Sequence, residues 1–166
     1  LLGAMLHMGN KSNLRKLLLG RKWGKKNPDG TLDTKQWDVF IKRMEDSNIL
    51  TKKDYDFLQD VWNLNKEMLP LLQKTHKDVF GYYFKEIEAS PVITKFGTYE
   101  GGYVPAKVDP NMVTDAEKNA KLEELKTDYK MSLPAVGKGF TKTRVEYNKE
   151  LSLHLNAMVK HIDDAL

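Results

Sequence analysis

The sequence predicts a mainly α-helical fold, a helical bundle with one long kinked helix and a small β-hairpin insertion. Apolar residues recur at helical spacing through most of the first 90 residues, and β-forming residues cluster over 91–105. The 166 residues are enough for one domain with its own core. We interpret 1–166 as a single segment excised from a longer polypeptide, with a helical part (1–90), a β-hairpin (91–110) and a second helical part (111–166).

The first helices are marked by residues that favour helix starts. Asn10 and Ser12 are suitable N-cap residues for a short helix over 11–20. A turn at 27–30 follows, because Pro presets φ and Gly accepts positive φ. Asp33 or Thr34 then caps a helix with one buried face. Its apolar residues lie at i, i+3, i+4 and i+7: Trp37, Phe40, Ile41 and Met44.

A much longer helical pattern follows. Thr51 and Asp54 resemble a capping box, and the apolar period continues to about Glu88. Such a helix would span roughly 55 Å, more than the width of a compact domain of this size. We therefore expect Pro70 to kink the helix or to split it in two.

Residues 91–105 predict the hairpin, with Gly97 in its turn and Gly101 and Gly102 at a bulge or a close backbone approach. An isolated two-stranded ribbon is marginal in water, so it must lie against the helices or against a partner. Four residues are the candidate partner contacts: Tyr99, Gly101, Gly102 and Tyr103. For the tyrosines, packing against a helix is the alternative. Beyond the hairpin we expect a helix from Thr114, a loop at 137–139 and a final helix from about Leu151.

The net charge of +4 is unevenly distributed. Residues 1–30 hold seven basic residues and one acidic residue, a net +6, and the rest of the chain holds 20 basic and 22 acidic residues, a net −2. A basic segment of this kind is a candidate nucleic-acid contact, or a solvated helix face beside an acidic partner. Its residues are Lys11, Arg15, Lys16, Arg21, Lys22, Lys25 and Lys26.

Several kinds of site are excluded or disfavoured. The chain has no cysteine, which excludes disulfides, a thiolate zinc site and a cysteine nucleophile. The stretch 25–36 resembles a calcium loop, but Lys25 and Gln36 stand where calcium needs carboxylates. His154 and His161 are two helical turns apart, roughly 10 Å, too far to share a metal ion without other ligands. We therefore assign no catalytic residue, cofactor or metal site, and no stretch is long enough to cross a bilayer.

Several strings occur together in one order: GNKSN (9–13), DGTLDT (29–34), LTKKDYDF (50–57), FGTYEGGYVP (96–105) and FTKTRVE (140–146). In these strings the chain resembles a segment of the large polyvalent proteins of bacteriophages and prophages. The resemblance covers about 4–166, and the hairpin string is its most specific part. It implies a viral protein that is packaged in the virion, ejected with the genome and so delivered to the host cytoplasm. It implies no defined catalytic residue in this segment.

Three functional hypotheses follow. The first is a non-enzymatic structural and interaction segment, whose partners are other parts of the parent chain or other virion proteins. The second is a nucleic-acid-contacting module that uses 11–26 to bind DNA. The third is an accessory domain that completes an active site of a phage enzyme.

Overall fold

The computed structural model describes residues 1–109 and 149–155. The helices are α1 (Leu2–Met5), followed directly by a 3₁₀ turn (Leu6–Gly9), then α2 (Lys11–Gly20), α3 (Lys35–Asp46) and α4 (Lys52–Phe80). The strands are β1 (Lys25–Lys26), β2 (Leu32–Asp33), β3 (Val92–Thr94) and β4 (Gly97–Tyr99). The prediction of a mainly α-helical fold with a long helix and a small hairpin is confirmed.

The helix starts follow from their capping residues. The Asn10 side chain accepts a hydrogen bond from the backbone N–H of Asn13 at 2.8 Å, which begins α2 where the sequence predicts. At the start of α4, the backbone N–H and the hydroxyl of Thr51 both donate to Asp54, at 2.8 and 2.7 Å. These bonds favour the charged carboxylate and hold the pKa of Asp54 below its usual value.

Helix α4 is a single helix of 29 residues, about 43 Å long. Pro70 lies inside it at an exposed position and does not split it. The helix ends at Phe80, not at Glu88 as the apolar period predicts, because Gly81 adopts a left-handed φ of 81°. The following segment then folds back, and the side-chain amide of Gln73 both donates to and accepts from the backbone of Phe84, at 2.9 and 3.0 Å.

Two antiparallel hairpins are present among the described residues. The pair β1–β2 surrounds the predicted turn at 27–30, but its strands have two residues each, too few to show the alternation that identifies a strand. The pair β3–β4 confirms the predicted hairpin and is shorter than 91–105. After β4 the chain forms no regular element over 100–107, and its backbone bonds to the N-terminal segment at Gly9, Asn10 and Asn13.

The prediction of a helix from about Leu151 is wrong at its start. Leu151 forms an antiparallel bridge with Val108, and 149–154 are not helical. Backbone bonds from Asp109 to Glu150 and from Ser152 to Lys107, at 2.9 and 2.8 Å, hold this stretch extended. Pairing between distant segments overrides the local helical pattern here. The helix predicted from Thr114, the loop at 137–139 and the remainder of the final helix lie outside the described residues.

The core lies where the N-terminal helices, α4 and the stretch after β4 meet. Trp62 and Tyr55 are its largest fully buried side chains, with 1% and 0% of their surface exposed. The indole N–H of Trp62 donates to the carbonyl of Leu6 at 2.9 Å, so this buried polar atom is satisfied. The other fully buried apolar side chains are Met5, Leu6, Leu17, Leu18, Leu50, Leu58, Val104 and Leu151.

Candidate functional site

Two asparagines at the start of α2 bind the stretch after β4. Asn10 donates from Nδ2 to the carbonyl of Gly102 at 3.0 Å, and Asn13 donates from Nδ2 to the carbonyl of Val104 at 2.7 Å. Both asparagines have no exposed surface. These two hydrogen bonds fix how two segments about 90 residues apart align. In any other alignment the buried amide and carbonyl groups would lack a hydrogen-bond partner and also be out of contact with water, which costs free energy.

Glycines allow the same two segments to approach closely. The carbonyl of Gly9 accepts the backbone N–H groups of both Ser90 and Gly102, each at 2.8 Å. A Cβ on Gly102 would lie 2.5 Å from Cβ of Trp62, and one on Gly9 would lie 2.6 Å from the Trp62 ring. Gly101 has a φ of 77°, which favours glycine. The predicted close backbone approach at Gly101 and Gly102 is thus confirmed.

His7 lies beside this junction and is completely buried. Its Nδ1 is 3.4 Å from Nδ2 of Asn13. Burial lowers the pKa of His7 from 6.5 to about 4, because the charged imidazolium would be desolvated, and the Ser152 backbone opposes the shift only in part. Its Nε2 makes no hydrogen bond of normal geometry within the described residues. His7 is therefore neutral near pH 7 and acts as a core residue.

The hairpin β3–β4 is anchored to α4 by Tyr99. Its hydroxyl donates to Asp56 at 2.9 Å, and its ring stacks on Tyr55 with centroids 5.5 Å apart. Lys52 also pairs with Asp56 at 2.8 Å, and Lys52 and Tyr99 together hold the pKa of this carboxyl below its usual value. Burial, with the bond from Tyr55 to Glu45 at 2.7 Å, raises the pKa of the Tyr55 hydroxyl.

The four candidate partner contacts thus face their own chain to different degrees. Gly101 is buried, and Gly102, Tyr99 and Tyr103 are half-buried. Contacts within the chain account for Tyr99, Gly101 and Gly102, so the alternative of packing against a helix describes Tyr99. The outward side of this hairpin is formed by other residues, among them Ile93, which is 84% exposed.

The structure separates the seven basic candidates into two groups. Arg15 donates to the carbonyl of Gly30 at 3.1 Å. Arg21 donates to the carbonyl of Leu151 at 2.7 Å and pairs with Glu150 at 3.3 Å. Lys16 is half-buried. The four others are exposed and form no ion pair within 1–109 and 149–155: Lys11, Lys22, Lys25 and Lys26.

The structure has an open apolar cavity of about 310 Å³. The residues that line it are close in the sequence to Lys22, Lys25 and Lys26. We call it the tryptophan groove, lined by Trp23, Gln36, Trp37 and Phe40. The two indoles stack with centroids 5.7 Å apart and planes 8° from parallel. Trp37 is buried, and its Nε1 has no partner among the described residues, whereas Phe40 is 40% exposed.

From the sequence, helical spacing predicts that most of the aromatic residues, Trp23 and Trp37 among them, lie in the core, with a stacking surface for single-stranded nucleic acid as the alternative. Phe40, expected on the buried face of α3, is instead exposed at the edge of the groove. Trp37 does point to a buried position, as its helical spacing predicts. Trp23 joins it only because β1 and β2 pair and bring the ends of α2 and α3 together. No local sequence pattern predicts that pairing, although the turn at 27–30 is compatible with a hairpin.

The described residues bring no three His, Asp or Glu side chains together in a way that could hold a metal ion. In the stretch that resembles a calcium loop, Asp29 accepts bonds from the backbone and hydroxyl of Thr31, at 2.9 and 2.6 Å. Asp33 accepts from the backbone of Lys35 at 3.1 Å, as in an ordinary turn before a helix. Within the described part of the chain, none of the helices is both long and apolar enough to cross a membrane.

Comparison with known proteins adds no relative: no family model, no curated protein and no solved structure matches the chain.

Proposed function

We propose that this chain is a non-enzymatic structural and interaction segment of a large phage protein, packaged in the virion and ejected with the genome. One observation carries the proposal. The buried polar side chains bind the backbone of distant segments of the same chain, and the tryptophan groove with its lysines stays open on the outside.

The use of the polar side chains supports a structural role. Asn10, Asn13, Trp62 and Arg21 each donate to a main-chain carbonyl at least 50 residues away. An active site needs polar groups that face a substrate cavity. In contrast, the groove is lined by three aromatic rings and one amide side chain, which suits contact with a partner.

The resemblance to phage polyvalent proteins supports the location. Two of the strings on which it depends, 9–13 and 96–105, contact each other directly through the bonds from Asn10 to Gly102 and from Asn13 to Val104. These strings therefore form one structural unit, as expected if their residues are needed for this fold.

Mass spectrometry of purified particles tests the proposal. Trypsin releases residues 96–107 as one peptide, because Lys95 and Lys107 bound a stretch without other basic residues. We expect this peptide in particles before infection, together with capsid peptides and without host cytosolic proteins. If the peptide appears only in cells after infection, the packaged structural role is wrong.

A further inference from the structure

We propose that the tryptophan groove binds single-stranded nucleic acid, with a base against the aromatic rings and phosphates on Lys22, Lys25 and Lys26. This inference rests on the proposed function as an interaction segment and names the partner of its open surface. It uses a smaller and different set of residues from the whole basic segment 11–26.

The three lysines supply charge that the fold does not use. Each is exposed and forms no ion pair with a described residue. Lys22 directly precedes Trp23, and Lys25 and Lys26 form β1, whose pairing with β2 leads into the helix that carries Trp37. Arg21 differs, because it is bound by Glu150 and Asp109, at 3.3 and 3.8 Å, while its guanidinium lies over the Trp23 ring.

The nearby carboxylates do not cancel this charge fully. Asp29 is exposed in the turn between β1 and β2, and its bonds from Thr31 stabilise its charged form. Asp33 lies opposite Lys25 in the register of the two strands. Asp38 lies in the first turn of α3 and accepts from the Thr34 hydroxyl at 2.7 Å. Residues 22–40 therefore hold four basic and three acidic residues, a net charge of +1. A polyanion is the partner that this balance favours.

Among polyanions, the aromatic rings of the groove favour a nucleic acid whose bases are unpaired. A base that is not stacked in a duplex offers a flat face, and aromatic side chains next to a basic strip are the usual surface for it. Phe40 leaves part of its ring exposed at the edge of the groove. Trp37 is only 3% exposed and supports the half-buried Trp23 ring by stacking on it, so Trp23 and Phe40 offer the accessible aromatic surface. An acidic peptide would use the lysines and leave the rings without a matching surface.

Tryptophan fluorescence gives a direct test on the full chain. The chain has three tryptophans, and Trp62 is buried in the core, so a change in signal on binding comes from Trp23 and Trp37. We expect an oligodeoxythymidine of about 12 nucleotides to quench this signal to saturation. The duplex of the same length should quench it less. The affinity for the oligonucleotide should fall as the salt concentration rises from about 50 to 200 mM, because binding releases counterions from the phosphates.

Variants separate the two parts of the surface. Replacing Lys22, Lys25 and Lys26 by Ala should reduce the slope of log affinity against log salt by about 2. The matched control replaces Lys53, Lys74 and Lys85, three exposed lysines on or after α4, and should leave affinity unchanged at constant salt.

For the rings, Phe40→Ala should weaken binding roughly tenfold with the salt slope unchanged. Gln36→Glu, an exposed change in the groove that should not disturb folding, should also weaken binding.

Three results would overturn the inference: no quenching by the oligonucleotide, equal binding of the duplex, or equal affinity of the lysine variant and its control. A polyglutamate peptide that quenches the same tryptophans at equal or lower concentration would assign the groove to an acidic protein partner instead. Particle mass spectrometry is independent of all these results. A packaged protein that binds no oligonucleotide would leave the structural role in place and remove this inference alone.

Discussion

Asn13 donates from Nδ2 to the carbonyl of Val104 at 2.7 Å, and so joins the start of α2 to a stretch 91 residues later in the chain. Both groups are buried. The same nitrogen lies 3.4 Å from Nδ1 of His7, so two acceptors face one amide group. This contact is central to the fold, because Val104 lies in the stretch between β4 and the bridge from Val108 to Leu151. The bond therefore holds that stretch against the start of α2.

Asn13→Ala should lower the free energy of unfolding by about 2 kcal/mol, because the Val104 carbonyl would be buried without a donor. Asn13→Asp should cost more, since its carboxylate would face two acceptors. Urea denaturation at neutral pH measures both. Asn63→Ala, at an exposed position on α4, is the control and should change the free energy by less than about 0.5 kcal/mol. Equal stability of Asn13→Ala and the control would contradict the contact.

Gly102→Ala tests the close approach to Trp62. The added methyl group would lie 2.5 Å from Cβ of Trp62, so the backbone must shift, at a cost of about 1–3 kcal/mol. Thermal unfolding measures the loss, and a change in near-ultraviolet circular dichroism reports the altered Trp62 environment. Thr98→Ala, an exposed change in the same hairpin, is the control. An unchanged spectrum and melting temperature for Gly102→Ala would rule out this packing.

His7 makes the stability depend on pH. Its pKa is about 4 in the folded chain and 6.5 when exposed, so the unfolded state binds more protons between these values. Stability is therefore full above pH 6.5 and falls as pH decreases towards 4, by on the order of 3 kcal/mol in total.

His7→Asn keeps an acceptor near the position of Nδ1 and has no proton to titrate. Urea denaturation of both proteins across this pH range gives the comparison. We expect a shallower dependence on pH in the variant, whatever its stability at neutral pH. Parallel curves for the two proteins would show that His7 is not buried in neutral form. Asp54 and Asp56, whose pKa values are lowered below 3.8, titrate outside this window.

Tyr99 distinguishes packing within the chain from contact with a partner. Tyr99→Phe removes the bond to Asp56 and should cost about 1 kcal/mol, while Tyr99→Ala also removes the stacking on Tyr55 and should cost about 3 kcal/mol. Urea denaturation of the isolated chain measures both. Tyr83→Phe, at a residue 59% exposed, serves as the control. Wild-type stability in Tyr99→Ala would favour the partner-contact hypothesis.

The sequence predicts local features well because their causes are local. Asn10 caps α2, the pair of Thr51 and Asp54 caps α4, and the glycines at 101 and 102 mark a close approach. Each feature depends on residue types within a few positions. The apolar period does not predict the early end of α4, because the period continues past Gly81. The helix ends there because Gly81 adopts a left-handed φ.

Non-local features escape prediction for a physical reason. The extended stretch at Leu151 depends on backbone bonds to 107–109, and its own residues carry a helical pattern. The groove likewise depends on β1 and β2 pairing, which places Trp23 on Trp37. Distant contacts also decide which basic residues can bind a partner. Arg21, for example, already pairs with Asp109 and Glu150.

We expect the tryptophan groove to be the surface that contacts a partner in the particle. The chain has no cysteine, so Gln36→Cys in the groove and Lys85→Cys after α4 each give one labelling site at an exposed position. Each variant is placed in the full protein with every cysteine outside this segment replaced by Ser, labelled with a maleimide photocrosslinker and illuminated in intact particles. We expect crosslinked product from position 36 and none from position 85. Product from position 85 alone, or equal product from both, would show that the groove is not the contact surface.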